Sequence, residues 1–239
     1  MPVKALLLAG GLGQRLRPLT STTPKCLVPV GERPLLHYWV AALVAAGVRE
    51  ATINTHHLAA QVRREIRRVN ATSSLRLSES YEPELLGSAG TLTHNRRLAE
   101  GADAILVIYT DNLSDVSLVG LLRFHHDHGL GLSLLLFRAP RPEACGIATL
   151  DADGTVVEFV EKPRVPTSSL ANAGVYVFSP ELYRQVADRG VFDIGADVLP
   201  QLVGQMKGYE HGGYHLDIGT HEALARARRD VAGLRFPRA

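Results

Sequence analysis

A glycine-rich segment near the start of the chain carries the residues best suited to chemistry. Residues 10–20, called the glycine loop below, read Gly-Gly-Leu-Gly-Gln-Arg-Leu-Arg-Pro-Leu-Thr. Glycines let backbone N–H groups approach phosphates closely and form an anion nest. Arg15 in the loop and Lys25 after it add two fixed cations. This combination predicts a site for a highly charged anion such as a triphosphate.

Two better-known glycine motifs do not match this loop. A dinucleotide-binding fingerprint requires glycine at position 16, where the chain has Leu16, and a P-loop requires a Gly-Lys-Ser or Gly-Lys-Thr sequence that the loop lacks. The glycines alone are equally consistent with an ordinary strand-to-helix turn in which Arg15 and Lys25 are solvated.

An alternation of strands and helices positions the loop. Residues 5–9 form a wholly apolar run that ends in the loop, as expected of a buried parallel strand, and similar runs alternate with helical segments up to residue 137. The pattern predicts an α/β fold of the Rossmann-like, doubly wound type. We expect a mainly parallel mixed sheet with helices on both faces, a three-layer sandwich. Ligands of such sheets bind at the carboxyl ends of the strands, where the loop lies.

The second half of the chain has a mixed pattern but no linker before it. Asp151-Ala-Asp-Gly154 is a hairpin signal, and strands and helices follow in irregular order. We therefore predict a single domain over residues 1–239, with halves at 1–137 and 138–232. Residues 236–239 are expected to fray.

The composition excludes several classes of protein. With 46% hydrophobic and 21% charged residues, the chain is too apolar for disorder. A net charge of +2 with scattered basic residues predicts no nucleic-acid partner. The two cysteines, Cys26 and Cys145, cannot form a disulfide framework, so a cytoplasmic location is expected. No apolar stretch is long enough to span a bilayer, so no membrane partner is expected.

Two histidine clusters attract attention as metal ligands. His125-His126-Asp127-His128 is predicted to be a solvated helix end, because consecutive side chains point around a helix and not at one ion. His56 and His57 follow a strand and have no assignable role.

The loop and five later motifs resemble those of sugar-1-phosphate nucleotidyltransferases, also called nucleoside-diphosphate-sugar pyrophosphorylases. The similarity runs from residue 5 to about residue 225, in the family's order. The later motifs are Leu86-Gly-Ser-Ala-Gly90, Asp111-Asn112, Glu161-Lys-Pro163, Asn172-Ala-Gly-Val-Tyr176 and Asp217-Ile-Gly-Thr220. The segment from Glu84 to Leu92 is most similar to the loop of mannose- and heptose-phosphate guanylyltransferases.

The resemblance implies transfer of a nucleotidyl group from a nucleoside triphosphate to a sugar 1-phosphate, with release of pyrophosphate. It implies Mg²⁺ as cofactor, held by Asp111 and Asp217, since that ion prefers hard oxygen ligands. By themselves, aspartates at strand ends are more often loop caps. The implied catalytic residues are Arg15, Lys25, Asp111, Lys162 and Asp217.

The resemblance also divides the binding residues between the halves, making the first half nucleotide-binding and the second sugar-phosphate-binding. The implied nucleotide-binding residues are Leu8, Ala9, Gly10, Gly11, Gly13, Gln14, Arg15, Glu84, Gly87 and Ser88. The implied sugar-phosphate-binding residues are Asn112, Gly146, Glu161, Lys162 and Asn172. Gly87 is expected to leave space for the edge of the base, and the alternative role for Ser88 is a helix cap.

The expected product is of the GDP-mannose or GDP-heptose type. Two alternatives stay open: a uridylyl- or thymidylyltransferase for another hexose 1-phosphate, and a catalytically silent regulatory subunit that binds sugar nucleotides. The presence of all five implied catalytic residues disfavours the silent subunit. The chain is expected to lack a C-terminal acyltransferase extension, and a homo-oligomer is left open.

Overall fold

A computed structural model describes residues 2–237, which form thirteen strands and six α-helices. The strands are β1 (Val3–Leu8), β2 (Pro29–Val30), β3 (Arg33–Pro34), β4 (Glu50–Thr55), β5 (Arg76–Tyr81), β6 (Ala104–Tyr109), β7 (Asn112–Ser114), β8 (Leu132–Arg138), β9 (Gly146–Leu150), β10 (Val156–Glu161), β11 (Leu170–Phe178), β12 (Met206–His211) and β13 (His215–Asp217). The helices are α1 (Leu35–Ala45), α2 (Ala59–Thr72), α3 (Gly87–His94), α4 (Leu118–His128), α5 (Pro180–Ala187) and α6 (His221–Asp230).

The described residues divide into two compact units. The Lys25 unit comprises Val3–Leu85, Ile108–Leu118 and the described residues from 213 onward. The Glu161 unit comprises Pro2, Leu86–Val107 and Val119–Gly212. Each unit is built from segments of both predicted halves of the chain. The prediction of a single domain over residues 1–239 stays a prediction, and its termini, Met1, Arg238 and Ala239, lie outside the described residues.

In the Lys25 unit, three strands pair in parallel in the order β1–β4–β5, with Leu7 opposite Ile53 and Ile53 opposite Glu79. The last four residues of β1 are buried, as its apolar sequence predicts. Helix α1 is apolar on nearly all sides and buries eight of its eleven residues. It ends before Gly47, which takes the left-handed conformation that glycine adopts most easily.

A second, two-stranded sheet in the Lys25 unit was not predicted. Strands β7 and β13 pair antiparallel, and Asp217 lies opposite Asn112 in their register. Strand β7 has only three residues, which is too short for side-chain alternation to reveal in the sequence, so the partner of β13 could not be identified. This small sheet places Asp111, the residue before β7, beside the end of β13.

The Glu161 unit holds a mixed sheet. Strand β8 lies between β11, to which it is antiparallel, and β12, to which it is parallel. Strand β9 pairs with both β10 and β11 in antiparallel fashion. Both partners of β8 come from later in the chain, and this arrangement was not predicted. The predicted α/β class, a mixed sheet with helices, is confirmed.

The prediction for the histidine cluster on α4 was wrong for His125. Its side chain is buried, and the Nδ1 atom lies 2.8 Å from the Oγ atom of Ser133 on β8. The Nε2 atom of His128 lies 2.7 Å from the same oxygen. These histidines therefore join α4 to the sheet.

The C-terminal residues that were expected to fray are partly ordered. Phe236 packs edge-on against Tyr38, with ring centroids 4.6 Å apart, whereas Arg238 and Ala239 lie outside the described residues. None of the helices in the described part of the chain is both long and apolar enough to span a bilayer.

Candidate active site

The small sheet of the Lys25 unit brings the two predicted metal-binding aspartates together. Asp217 is the last residue of β13, and Asp111 directly precedes β7. The Ile218 amide donates a hydrogen bond to the Asp111 carbonyl oxygen at 3.1 Å, which extends the ladder past both residues. Two carboxylates 106 positions apart in the sequence thus share one edge of this sheet.

Lys25 lies between the two carboxylates. Its Nζ atom is 2.8 Å from the Oδ2 atom of Asp111 and 2.9 Å from the Oδ1 atom of Asp217. Its side chain is only 12% exposed. Burial lowers the pKa of the Lys25 ammonium, but the charges and hydrogen bonds of Asp111 and Asp217 outweigh burial, so the pKa is raised above its ordinary value. Lys25 is therefore a buried cation in the folded protein.

Arg15 completes this group from the solvent side. Its Nη2 atom lies 3.3 Å from the Oδ2 atom of Asp217, and its side chain is 67% exposed. Burial raises the pKa of Asp217, but Lys25, Arg15 and the Gly219 amide together hold it below its ordinary value. A Cβ atom on Gly219 would lie 2.7 Å from the Nη2 atom of Arg15 and 2.9 Å from the Oδ1 atom of Asp217, so these side-chain ends would have to shift to admit one.

The two carboxylates fit a divalent cation. They already converge on a single positive charge, that of Lys25, and their oxygens are the hard ligands that Mg²⁺ prefers. Among residues 2–237, no group of three His, Cys, Asp or Glu side chains could hold a metal ion. A magnesium ion held by Asp111 and Asp217 would therefore take its remaining ligands from water and phosphate oxygens, as this ion commonly does.

The glycine loop ends near this group. Gly13 has a φ of +60° and starts the short 3₁₀ turn Gln14–Leu16, which carries Arg15. Gly11 and Gln14 are exposed, and a Cβ atom on Gly11 would meet nothing within 4 Å. The loop thus presents exposed backbone beside the cations, as an anion site requires.

The other predicted nucleotide-binding residues of the Lys25 unit differ in burial. Leu8 and Gly10 are buried, Ala9 is partly buried, and Glu84 is exposed. Asn112, which was predicted to bind the sugar phosphate, is 7% exposed and lies in the same unit, at the start of β7.

A second group of predicted residues surrounds Glu161 in the Glu161 unit. Gly146 lies opposite Glu161 in the register of β9 and β10. A Cβ atom on Gly146 would lie 2.5 Å from the Oε2 atom of Glu161, and one on Gly195 would lie 3.0 Å from it. The carboxylate therefore occupies a space that exists because both neighbours are glycines. Burial raises the pKa of Glu161, with Asp193 adding to the rise and Lys162 opposing it.

Lys162 directly follows β10, and Asn172 is the third residue of β11, in the same unit. The Lys162 side chain is 68% exposed, and its Nζ atom is 3.6 Å from the Oε1 atom of Glu161. Its φ of +49° is unusual for a residue other than glycine. Residues held in such left-handed conformations cluster at functional sites. The Asn172 side chain donates a hydrogen bond to the Tyr176 hydroxyl at 2.7 Å.

The surroundings of Gly87 and Ser88 were not predicted correctly. The space in front of Gly87 is filled, since a Cβ atom there would collide with the carbonyl oxygen and ring of Phe192. Ser88 does not cap α3, whose cap position is Leu86. Its hydroxyl donates to the Oδ2 atom of Asp193 at 2.9 Å and accepts from the Ile194 amide at 2.8 Å. Their contact with nucleotide stays a prediction.

Sequence reasoning missed the turn at residues 192–198. It contributes the exposed ring of Phe192, the carboxylate of Asp193 and the buried Gly195, whose missing side chain leaves room for the Glu161 carboxylate. The one available signal was Gly195 within a run of apolar and acidic residues, which no recognised motif covers.

Taken together, the Lys25 unit of this α/β protein carries a glycine loop, two cations and two carboxylates, a set of groups with the chemistry that phosphate binding requires. The model of the nucleotidyl transferase family matches residues 4–233, and the chain belongs to this family.

The relatives agree with this assignment. The chain is 36% identical over 221 residues to the catalytic subunit beta of mannose-1-phosphate guanylyltransferase from Danio rerio, a match that covers 91% of the chain and 61% of the relative. The corresponding subunit from Drosophila melanogaster is 32% identical over 219 residues, covering 90% and 59%. The chain thus spans about three fifths of the length of these curated relatives.

A solved structure from Bacillus anthracis, assigned as a glucose-1-phosphate thymidylyltransferase, matches almost end to end. Its TM-score is 0.87 at 26% identity, and the match covers 99% of this chain and 98% of that one.

Proposed function

We propose that the protein is an enzyme that transfers a nucleotidyl group from a nucleoside triphosphate to a sugar 1-phosphate. The observation that carries the proposal is the group formed by Arg15, Lys25, Asp111 and Asp217. A silent binding subunit would have no need to keep two carboxylates and two cations in mutual contact. The family membership and the guanylyltransferase relatives support the same reaction.

In this reaction an oxygen of the sugar phosphate attacks the α-phosphorus in line. The bond from the α-phosphorus to its bridging oxygen breaks, and pyrophosphate leaves with that oxygen. No covalent enzyme intermediate is needed, so the protein acts by positioning the substrates and neutralising charge. A magnesium ion held by Asp111 and Asp217 would supply a Lewis acid that neutralises the reacting phosphates.

The side chains of the chain divide this work. Arg15 is free to turn its exposed guanidinium toward the β- and γ-phosphates, for which its fork of donors is suited. Lys25, buried and charged, stabilises the negative charge that develops near the α-phosphate. Lys162 binds the phosphate of the sugar, and Glu161 and Asn172 bind sugar hydroxyls.

The relatives favour a guanylyl transfer that gives a GDP-mannose or GDP-heptose type of product. Thymidylyl transfer is the second candidate, because the Bacillus anthracis structure matches this chain almost end to end. The proposal includes Mg²⁺ as the cofactor and the cytoplasm as the compartment, which the free thiols of Cys26 and Cys145 support.

The test is a substrate matrix. The protein is incubated with Mg²⁺, each of the five common nucleoside triphosphates and a panel of sugar 1-phosphates, and pyrophosphate release is followed. We expect release that requires both substrates and is fastest with GTP and mannose or heptose 1-phosphate. Absence of release from every pair, together with no pyrophosphate-driven cleavage of the matching sugar nucleotides, would refute the proposal.

A further inference from the structure

Two side chains at the carboxyl end of β4 hold the glycine loop, and the proposed function leaves both unassigned. Asn54, the next-to-last residue of β4, is 5% exposed. Its Oδ1 atom accepts hydrogen bonds from the backbone amides of Ala9, at 2.5 Å, and Gly10, at 3.1 Å. One side chain thus fixes the point where β1 passes into the loop.

Glu82 determines which way the Asn54 amide faces. The Nδ2 atom of Asn54 donates to the Oε1 atom of Glu82 at 3.0 Å, and Glu82 is 1% exposed. With its Nδ2 donor directed at the Glu82 oxygen, the Asn54 amide turns its oxygen toward the loop, where it accepts from both backbone N–H groups. A Cβ atom on Gly10 would lie 2.9 Å from this nitrogen, so the close approach of Asn54 explains the glycine at position 10.

His57 holds the other end of the loop. Its Nε2 atom lies 2.8 Å from the Thr20 carbonyl oxygen, and this nitrogen carries the hydrogen because a carbonyl oxygen only accepts. The Thr20 hydroxyl in turn donates to the Gly13 carbonyl oxygen at 2.7 Å. A Cβ atom on Gly13 would lie 2.8 Å from the Thr20 methyl group, so this contact is as close as the one at Gly10.

We propose that Asn54 and His57 are positioning residues for the glycine loop, an inference that rests on the proposed function, in which the loop binds the triphosphate. Asn54 fixes Gly10, and His57 fixes Gly13 through Thr20. The segment between them, with Arg15 just beyond, is therefore ordered before the ligand arrives. A preordered loop binds more tightly, because the entropy of ordering its backbone is not lost on binding.

The same contacts reduce the number of backbone N–H groups that the loop can offer to a phosphate. The N–H groups of Ala9 and Gly10 already bond to Asn54, so the N–H groups available to a phosphate begin at Gly11. Gly10 thus bonds the loop to Asn54 on β4. Gly11 has open space in front of it, so its N–H group is the one placed to contact the ligand.

The experiment compares loop variants with a matched control. Triphosphate binding is measured by calorimetry with GTP, and with inorganic tripolyphosphate as a probe that does not depend on the base. The loop variants are Asn54→Ala, His57→Leu and the conservative His57→Gln. The control is Asn70→Ala, because Asn70 also makes two backbone hydrogen bonds in the Lys25 unit, to Leu77 on β5.

We expect Asn54→Ala and His57→Leu to raise the Kd for both probes about tenfold, the order of effect expected when a hydrogen bond that orders the loop is lost. His57→Gln, which keeps an N–H donor, should restore binding to within about twofold of the unchanged protein. Asn70→Ala should lower the melting temperature without changing Kd. Unchanged Kd in His57→Leu, alongside a lowered melting temperature, would make the role merely structural and overturn the inference.

Amide hydrogen exchange of the ligand-free protein separates this inference from the proposed function. We expect faster exchange across residues 10–14 in Asn54→Ala and His57→Leu, and no change there in Asn70→Ala. If the unchanged protein bound no triphosphate, the proposed function would fail. Amide hydrogen exchange would still show whether Asn54 and His57 hold the glycine loop in place, the pair of contacts called the clamp. If Asn54→Ala did not fold, the two His57 variants would carry the test, and unaltered loop exchange in His57→Leu would overturn the clamp.

Discussion

The two groups of predicted site residues are built in opposite ways. In the Lys25 unit, each carboxylate of the main group is within 3 Å of the Lys25 ammonium, which is buried. In the Glu161 unit, the carboxylate is walled by glycines, and its cation, Lys162, is exposed and 3.6 Å away. The charges of the first group are paired at short distances around a buried cation, whereas those of the second are paired at a longer distance with an exposed cation.

The difference shows how burial and neighbouring charges together determine the pKa of each group. Lys25 keeps its charge despite burial because two carboxylates face it, and the pKa of Glu161 rises because burial outweighs one exposed lysine. A pre-paired group suits a step in which charge on phosphates must be neutralised without reorganisation. A space left by glycines suits recognition of the neutral hydroxyl groups of a sugar by shape.

The largest expected effect comes from breaking the pre-paired group. Asp111→Asn removes one of the two negative charges that face Lys25, and with it one proposed metal ligand. Turnover should therefore fall at least about a hundredfold, which corresponds to a barrier higher by about 3 kcal/mol. Pyrophosphate release at saturating substrates measures it. Asp103→Asn is the control, because Asp103 is an exposed carboxylate beside the opposite end of β6. Near-normal turnover in Asp111→Asn would show that the charge pairing serves the fold alone.

The effect of burial on a single titratable group can be measured at His125, which is buried in the Glu161 unit beside the Ser133 hydroxyl. Burial, with smaller contributions from the charges of His128 and His126, lowers the pKa of His125 to about 4. Unfolded histidine titrates near pH 6.5, so folding favours the neutral form. Its stabilising contribution is complete above about pH 6.5 and is lost progressively as the pH falls toward 4.

We therefore expect the free energy of unfolding to fall between pH 7.5 and pH 5 by about 2 kcal/mol more in the unchanged protein than in His125→Gln. Urea denaturation at each pH measures the difference. His94→Gln, at an exposed histidine on α3, should keep the steep dependence. Equal slopes in His125→Gln and the unchanged protein would place the sensitivity elsewhere.

A smaller effect is expected from filling the space beside Glu161. Gly146→Ala adds a Cβ atom 2.5 Å from the Glu161 carboxylate, so the side chain must move. The KM for the sugar 1-phosphate should rise about tenfold, equivalent to about 1.4 kcal/mol, while the KM for the triphosphate stays unchanged. Gly212→Ala is the control, because nothing lies within 4 Å of a Cβ atom there. A rise confined to the triphosphate constant would contradict the role given to this space.

Most strands of the fold could be predicted from the sequence, because they are buried apolar runs such as β1 and β6. The pairing of β7 with β13 could not, since three-residue strands carry no periodic signal and their partners are far apart in the sequence. The burial of His125 depends on Ser133, whose position follows from the placement of β8 in the sheet.

The residues of the site that belong to sequence motifs could be predicted, and the others could not. Arg15, Lys25, Asp111 and Asp217 were named from the sequence, and the structure brings these four together. The central position of Lys25 between the carboxylates was not predicted, because it depends on the small sheet. The turn that contains Gly195 has no motif, and its contact with Glu161 exists only in three dimensions.

Steady-state kinetics of Arg15→Ala and Lys162→Ala, with each substrate varied in turn, test the central claim most directly. We propose that Arg15, in the Lys25 unit, contacts the triphosphate and that Lys162, in the Glu161 unit, contacts the sugar 1-phosphate. Arg15→Ala should raise the KM for the triphosphate and slow turnover, because it loses a contact to the departing pyrophosphate. Lys162→Ala should raise the KM for the sugar 1-phosphate about ten- to hundredfold, the loss of one charge-assisted contact. Impairment of the triphosphate alone in both variants would contradict the claim.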